Sequence, residues 1–202
     1  MKLYYAPGAC SLSPHIVASE LGLDVQLEKV DLGKHVAANG ADYYAINPKG
    51  YVPALQMENG ELLTEGPAIV QYLADRKPAA GLAPANGTTE RYRLQETLGF
   101  INSEIHKTYS PLFSDKTPPE VRQERLAYLG KRYAVMEKQL AGHDYLFGNR
   151  FSVADAYLFT VTTWANHVKF DLSPFPNVAA FQKRVAARPA VQAAMKAEGL
   201  IK

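Results

Sequence analysis

Sulfur is scarce in this chain: its 202 residues include one cysteine, Cys10, and four methionines. A lone cysteine closes no internal disulfide, so nothing points to an oxidising compartment. It also excludes dithiol redox chemistry within the chain, because there is no second thiol to resolve a mixed disulfide. The five histidines show no metal-ligand spacing with it, and no metal is expected. Charge of one sign is missing too. Lys and Arg number 22 against 20 Asp and Glu and are scattered, which argues against a nucleic-acid partner. No apolar run approaches the roughly 18 residues that cross a bilayer, so no membrane partner is expected. Met1-Lys2-Leu3-Tyr4-Tyr5-Ala6 meets Pro7-Gly8 before a signal-peptide core could form. These absences predict a cytoplasmic globular protein.

Strand signals are also absent, but only from the second part of the chain. Residues 1–77 alternate strand and helix. Lys2–Ala6 reads as a strand closed by Pro7-Gly8. Ser11–Leu21 sets Leu12, Ile16, Val17 and Leu21 on one helical face, with Pro14 early and Gly22 just past the end. Val25–Val30 is a second strand, and so short a strand–helix–strand unit implies a right-handed parallel crossover. Ala54–Met57 and Glu61–Leu63 flank Glu58-Asn59-Gly60, a hairpin signal, and Pro67 opens a closing helix. The order is βαβ, an irregular link, then ββα, a thioredoxin-like arrangement. Residues 78–88, rich in Pro, Gly and Ala, form the linker. Residues 89–202 read as an all-helical bundle domain. Leu94, Leu98, Ile101 and Ile105 mark a long helix, Pro118-Pro119 opens another, and Ser152-Val153-Ala154-Asp155 is a capping-box pattern. A last helical stretch breaks at Arg188-Pro189.

Cys10 is placed where a cysteine is either reactive or inert. At the entry of the first helix, unpaired N–H groups and the helix dipole favour the thiolate. The alternative is a small buried apolar residue. Because position 13 is serine, chemistry at Cys10 has to recruit an external thiol. Ser11 is either a rival nucleophile or hydrogen-bond donor, or a helix cap. Tyr51-Val52-Pro53-Ala54 precedes the hairpin. A cis Pro53 marks a tight turn there, with the Val52 N–H and C=O offered to an extended peptide, whereas a trans one simply starts a strand. Glu65, just before Gly66-Pro67, either complements the next helix dipole or binds an ammonium while the free amides take a carboxylate. His106 lies on the long helix, on the face of Gly99 and Ser103, and is either an orienting base for a thiol or a hydrogen-bonding interface residue.

Taken together, Lys2-Leu3-Tyr4-Tyr5 with Pro7-Gly8-Ala9-Cys10-Ser11-Leu12, Asn47-Pro48-Lys49-Gly50-Tyr51-Val52-Pro53-Ala54-Leu55, Leu63-Thr64-Glu65-Gly66 and Phe151–Tyr157 resemble the cytosolic glutathione transferases, and more closely their bacterial beta class, over essentially the whole chain. The resemblance implies a homodimer with glutathione as co-substrate, Val52 pairing with its cysteinyl backbone, and Glu65 with the amide of Gly66 holding the γ-glutamyl end. Ser11, His35, Tyr51, Pro53, Ser103 and Glu104 join the expected glutathione site. Cys10 faces the sulfur, and His106 reaches over from the helical domain. The chain departs from the class pattern where Gly66 replaces a serine, His35 a lysine and Gly99 an asparagine. The expected reaction is conjugation of the glutathione thiolate to a small hydrophobic electrophile, held between the domains by Tyr109, Trp164 and His167. The alternatives are a glutathione-dependent monothiol disulfide reductase and a non-catalytic binding module.

Overall fold

Leu3 and Tyr4 are both buried, so β1 (Lys2–Tyr5) is covered on both faces and belongs at the centre of a sheet. In the computed structural model, which describes residues 1–202, β1 pairs in parallel with β2 (Gln26–Asp31) and antiparallel with β4 (Ala54–Gln56). A two-residue strand, β3 (Val36–Ala37), edges β2, and β5 (Leu62–Thr64) edges β4, for an order β3-β2-β1-β4-β5. Helix α1 (Leu12–Glu20) makes the crossover and Gly22, at φ +55°, follows its end. The predicted hairpin turn forms at Met57–Glu61, with Gly60 at φ +85°. Helix α3 (Gly66–Arg76) packs on α1. Side chains alternate across a strand, so while Leu3 faces one side, Tyr4 joins Val30, Tyr43, Val52 and Ala54 in an apolar cluster on the other. Tyr43 opens the one-turn helix α2 (Tyr43–Ile46), capped by Asp42 on the Tyr44 amide.

The link predicted as irregular thus contains β3 and α2. Two residues of strand and one turn of helix carry no readable period, and the Asp42 cap was the available clue.

The chain divides into two units, Met1–Ala83 with Ala187–Lys202, and Pro84–Ala186. The last helix, α10 (Pro189–Ala197), therefore lies with the sheet-bearing unit, where it packs on α1, although the sequence reading places it in the helical domain. Arg188 anchors this segment with a two-pronged ion pair to Glu20, at 2.6 and 2.9 Å.

In the helical unit, α4 (Thr89–Phe100) starts from a Thr88 cap on the Arg91 amide. It continues without a break into a π-helical stretch, Ile101–His106, then α5 (Lys107–Tyr109) and a tight turn, Ser110–Phe113. Helix α6 (Pro119–Gln139) follows. Helix α7 (Val153–Thr162) is buried at all of its positions and is central to its unit, its polar Thr160 and Thr162 bonding carbonyls of their own helix. Its capping box is present. Asp155 accepts from the Leu146 and Ser152 amides, each at 2.8 Å, and from the Ser152 hydroxyl at 2.7 Å, while burial pushes its carboxyl up to about 6. Helices α8 (Trp164–His167) and α9 (Pro176–Ala186) complete the unit. No helix is long and apolar enough to cross a membrane.

Candidate functional site

The loop from Ala6 to Ser11 is held in place from three directions. Within it, the Ala9 amide donates to the Ala6 carbonyl at 3.0 Å. Across it, the Ser11 hydroxyl accepts from the Ala6 amide at 3.2 Å and donates to the Ala6 carbonyl at 3.3 Å. From the C-terminal segment of the same unit, Glu198 accepts from the Gly8 amide and bonds His15 Nδ1, both at 2.9 Å, with its side chain fully enclosed. Gly8 favours glycine because its φ is +70°. Ser11 is fully buried with its hydroxyl bonded across the loop and does not cap α1. Its place is that of a loop brace.

Cys10 emerges from this loop immediately before α1. It is half-buried, and its thiol donates to the Val52 carbonyl at 3.2 Å. Ser13 donates to the Cys10 carbonyl at 2.9 Å, so the position that would carry a resolving thiol serves the backbone instead.

The acceptor, Val52, is set by a second braced loop. Asn47, which opens the motif at residues 47–55 but carries no role in the sequence reading, is buried; its amide and the Tyr43 hydroxyl both donate to the Tyr51 carbonyl, at 2.8 and 2.9 Å. Asn47 also accepts from the Lys49 amide at 3.2 Å. The Val52–Pro53 peptide bond is cis, Pro53 is buried beside it, and the Tyr51 ring stands exposed. On the flank, His35 sits at φ +53° with its ring 4.3 Å from that of Tyr44. Its Nε2 bonds the Tyr44 hydroxyl at 3.2 Å, and its Nδ1 is buried without a hydrogen-bond partner. A Cβ on Gly50 would come within 2.6 Å of the Tyr44 ring, so this packing depends on glycine there.

Glu65 precedes α3 in a conformation that only glycine adopts freely, φ +70°, which costs about 1–2 kcal/mol for a residue with a side chain. The carboxylate makes no bond to its own helix and points outward, where Lys49 meets it at 2.7 Å. Gly66 begins α3 beside Pro53, at the end of the helix where backbone N–H groups lack intrahelical partners. One unit therefore gathers a thiol at a helix entry, the backbone around a cis proline, and an outward carboxylate at a second helix start. These are complementary, in order, to a sulfur, a peptide backbone and an ammonium.

The remaining predicted residues gather in the helical unit. Ser103, Glu104 and His106 all fall in the π-helical stretch, a widening often found where a helix carries function. Ser103 is exposed and donates to the Gly99 carbonyl. Glu104 accepts from Tyr128 and lies 3.4 Å from Arg132. Two residues not singled out by sequence reading orient His106. The Tyr157 hydroxyl donates to Asn102 Oδ1 at 2.8 Å, so it accepts from His106 Nδ1 at 2.6 Å. A neutral His106 protonated at Nδ1 carries its lone pair on Nε2. Tyr157 stood at the edge of the capping motif, but nothing in a linear sequence ties it to a histidine 51 residues away.

Rings surround this histidine. Trp164 lies 5.0 Å from His106 and 5.5 Å from Tyr109, Phe113 lies 5.4 Å from Trp164, and the exposed His167 lies 5.7 Å from Phe113. Tyr109 is fully buried. Thr162 donates to the Leu158 carbonyl and Tyr133 to Thr162, so the Tyr109 hydroxyl donates inward to Tyr133. Burial raises the Tyr109 phenol well above its ordinary range and the Tyr133 phenol to about 12. Tyr109 thus backs the aromatic cluster from within, whereas Phe113 and His167 are open. No group of three or more His, Cys, Asp or Glu side chains is placed to hold a metal ion.

Comparison with known proteins bears on these sites. Residues 8–76 match the model for the glutathione S-transferase N-terminal domain and residues 100–189 that for its C-terminal domain. The chain is 48% identical to glutathione S-transferase GstA of Escherichia coli O157:H7, over 99% of this chain and 100% of that one. A sphingomonad glutathione S-transferase solved with glutathione superposes with a TM-score of 0.95 at 47% identity, covering 100% of both chains. A bacterial beta-class glutathione S-transferase from Sphingomonas chungbukensis gives 0.96 at 46% identity, again over 100% of both.

Proposed function

Because this chain belongs to the glutathione S-transferase family, we propose that it joins the glutathione thiolate to small hydrophobic electrophiles. The observation that carries this reading is the set of three complementary groups in the sheet-bearing unit: Cys10 at the entry of α1, the Val52 backbone at the cis proline, and Glu65 with Gly66 at the start of α3. Glutathione laid along them has its sulfur at Cys10, its cysteinyl backbone at Val52, and its γ-glutamyl ammonium at Glu65. Tyr51, Pro53 and His35 flank this path.

Catalysis begins with the thiol proton. A helix N-terminus lowers a thiol's pKa, so bound glutathione gives its proton to solvent and holds its sulfur as thiolate. The sulfur pair then forms a C–S bond to the electrophilic carbon, and the leaving group, halide in the case of an aryl halide, departs with the bonding pair. The aromatic cluster of the helical unit, with His106 beside Trp164, is the surface proposed to take apolar electrophiles. The working form is a cytoplasmic homodimer, and Ser103 and Glu104 belong to the proposed glutathione site.

A second reading has a specific observation behind it. Cys10 is only half-buried and has no resolving cysteine, and its thiol contacts the Val52 carbonyl. In the monothiol route this permits, the Cys10 thiolate attacks a glutathione-containing disulfide and expels its other sulfur as thiolate. The thiolate of a second glutathione then attacks the resulting Cys10–glutathione disulfide, releasing oxidised glutathione and the Cys10 thiolate.

Calorimetric titration with glutathione tests the shared premise, and aryl-halide conjugation tests the first reading. Saturable binding with turnover is expected; absence of binding would leave only a non-catalytic module on this fold. Intact mass after incubation with oxidised glutathione tests the second, with a reductant-reversible gain of one glutathione at Cys10 expected.

A further inference from the structure

Glu65 is prepared for a cation, and the protein already supplies one. Its positive φ turns the carboxylate away from the helix it precedes, so it does not cap that helix. The Lys49 ammonium lies 2.7 Å from Glu65 Oε1 and 2.9 Å from Thr64 Oγ1, two acceptors on successive residues. The pair is open to solvent, with the two side chains 53% and 61% exposed, so it adds little to stability. The base of the lysine is fixed while its head is not. Asn47 holds the Lys49 and Gly50 amides at 3.2 and 2.8 Å and the Tyr51 carbonyl at 2.8 Å, leaving the four-carbon stem to swing without disturbing Val52.

We propose that Lys49 is an internal competitor for the γ-glutamyl ammonium, occupying the Glu65–Thr64 acceptors until a ligand amine displaces it. The inference rests on the assignment of the γ-glutamyl end to Glu65. Its consequence is that Lys49 sets the affinity for glutathione downward. The bound ammonium exchanges one ion pair for another instead of meeting an unpaired carboxylate. A ligand without an amine cannot make the exchange. It leaves Lys49 where it is, so Lys49 acts only on peptides carrying a free α-amino group. The lysine also keeps an exposed carboxylate neutralised when no ligand is present, which lowers the attraction of the site for simple amines.

The test is calorimetric Kd measurement of two ligands, glutathione and its analogue lacking the γ-glutamyl amino group, on the full-length protein and on Lys49→Met and Lys49→Arg. Lys49→Met is expected to bind glutathione about two- to fivefold more tightly, the range of an exposed ion pair, and the deaminated analogue no more tightly than before. Lys49→Arg, which restores the cation, is expected to bind glutathione as the parent does. Weaker glutathione binding by Lys49→Met would make the lysine a ligand contact and overturn the proposal, as would unchanged binding or equal tightening of both ligands. Thermal unfolding checks that Lys49→Met folds, as its half-exposed side chain leads us to expect. If parent and Lys49→Met alike bind the two ligands equally, the assignment of Glu65 itself fails, whereas a Lys49→Met protein that prefers glutathione without binding it more tightly than the parent does overturns only the competition by Lys49.

Discussion

The two units build their candidate sites from different materials. In the sheet-bearing unit the groups proposed to meet a ligand are largely main-chain ones: the backbone of Val52, the amides at the start of α3 and the entry of α1, with Cys10 and Glu65 as the side chains added to them. The buried polar side chains of that unit brace loops: Ser11 and Glu198 around Ala6–Cys10, Asn47 and Tyr43 around Tyr51. In the helical unit the main chain is closed into helices, and the candidate groups are side chains: His106, Phe113 and His167, with the buried Trp164 packed among them. A site made of backbone changes little when single residues are exchanged, because the fold dictates it. A site made of rings changes with each ring.

The comparison breaks most readily at the braces. Replacing Glu198 with Ala leaves the Gly8 amide and the buried His15 Nδ1–H without their acceptor, a loss of about 1–3 kcal/mol expected for each donor left unsatisfied. Urea unfolding measures it, and glutathione affinity should fall with it because the Cys10 loop is released. A large loss of stability with affinity intact would show that the loop does not need its C-terminal brace.

In the helical unit the corresponding change is Tyr157→Phe, which takes the shared hydroxyl from Asn102 and His106. A loss of about 1–3 kcal/mol is expected for groups left unsatisfied, visible in the same unfolding experiment. If this hydroxyl fixes the His106 tautomer, the pH profile of kcat/KM for aryl-halide conjugation shifts as well. An unchanged profile beside reduced stability would make His106 a packing residue.

The smallest effect sharpens the contrast instead of breaking it. Gly66 has ordinary backbone angles and a Cβ there would lie 3.9 Å from Pro53, so Gly66→Ser is accommodated. One added hydroxyl at the helix start is expected to lower the Kd for glutathione about two- to tenfold, the worth of a single net hydrogen bond, with the conjugation rate of bound substrate unchanged.

What the sequence disclosed of all this divides along the same line. Local signals were readable: the helix-entry Cys10, the Pro53 turn, the Asn59-Gly60 hairpin, the carboxylate before Pro67 and the capping box at Ser152–Asp155 each announce themselves within a few residues. Braces were not readable, because they join distant positions. Gly8 and Glu198 are 190 residues apart, and nothing local marks α10 as part of the first unit. The π-helical stretch escaped for another reason. Leu94, Leu98, Ile101 and Ile105 keep spacings of four, three and four, which an α-helix satisfies, and the widening between Ile101 and His106 leaves that apolar stripe intact. Tyr109 illustrates the limit for the aromatic cluster: helix position brought it to the right neighbourhood, but its depth and inward-pointing hydroxyl depend on Tyr133 and Thr162.

The central claim is that the reacting sulfur belongs to glutathione and that Cys10 only attends it. The rate of glutathione conjugation to an aryl halide by Cys10→Ala, set against the parent protein, tests this most directly. The account predicts that conjugation persists, within about tenfold, because helix-end stabilisation of a bound thiolate does not require the cysteine. Loss of conjugation in a folded, glutathione-binding Cys10→Ala protein would contradict it and make Cys10 the nucleophile.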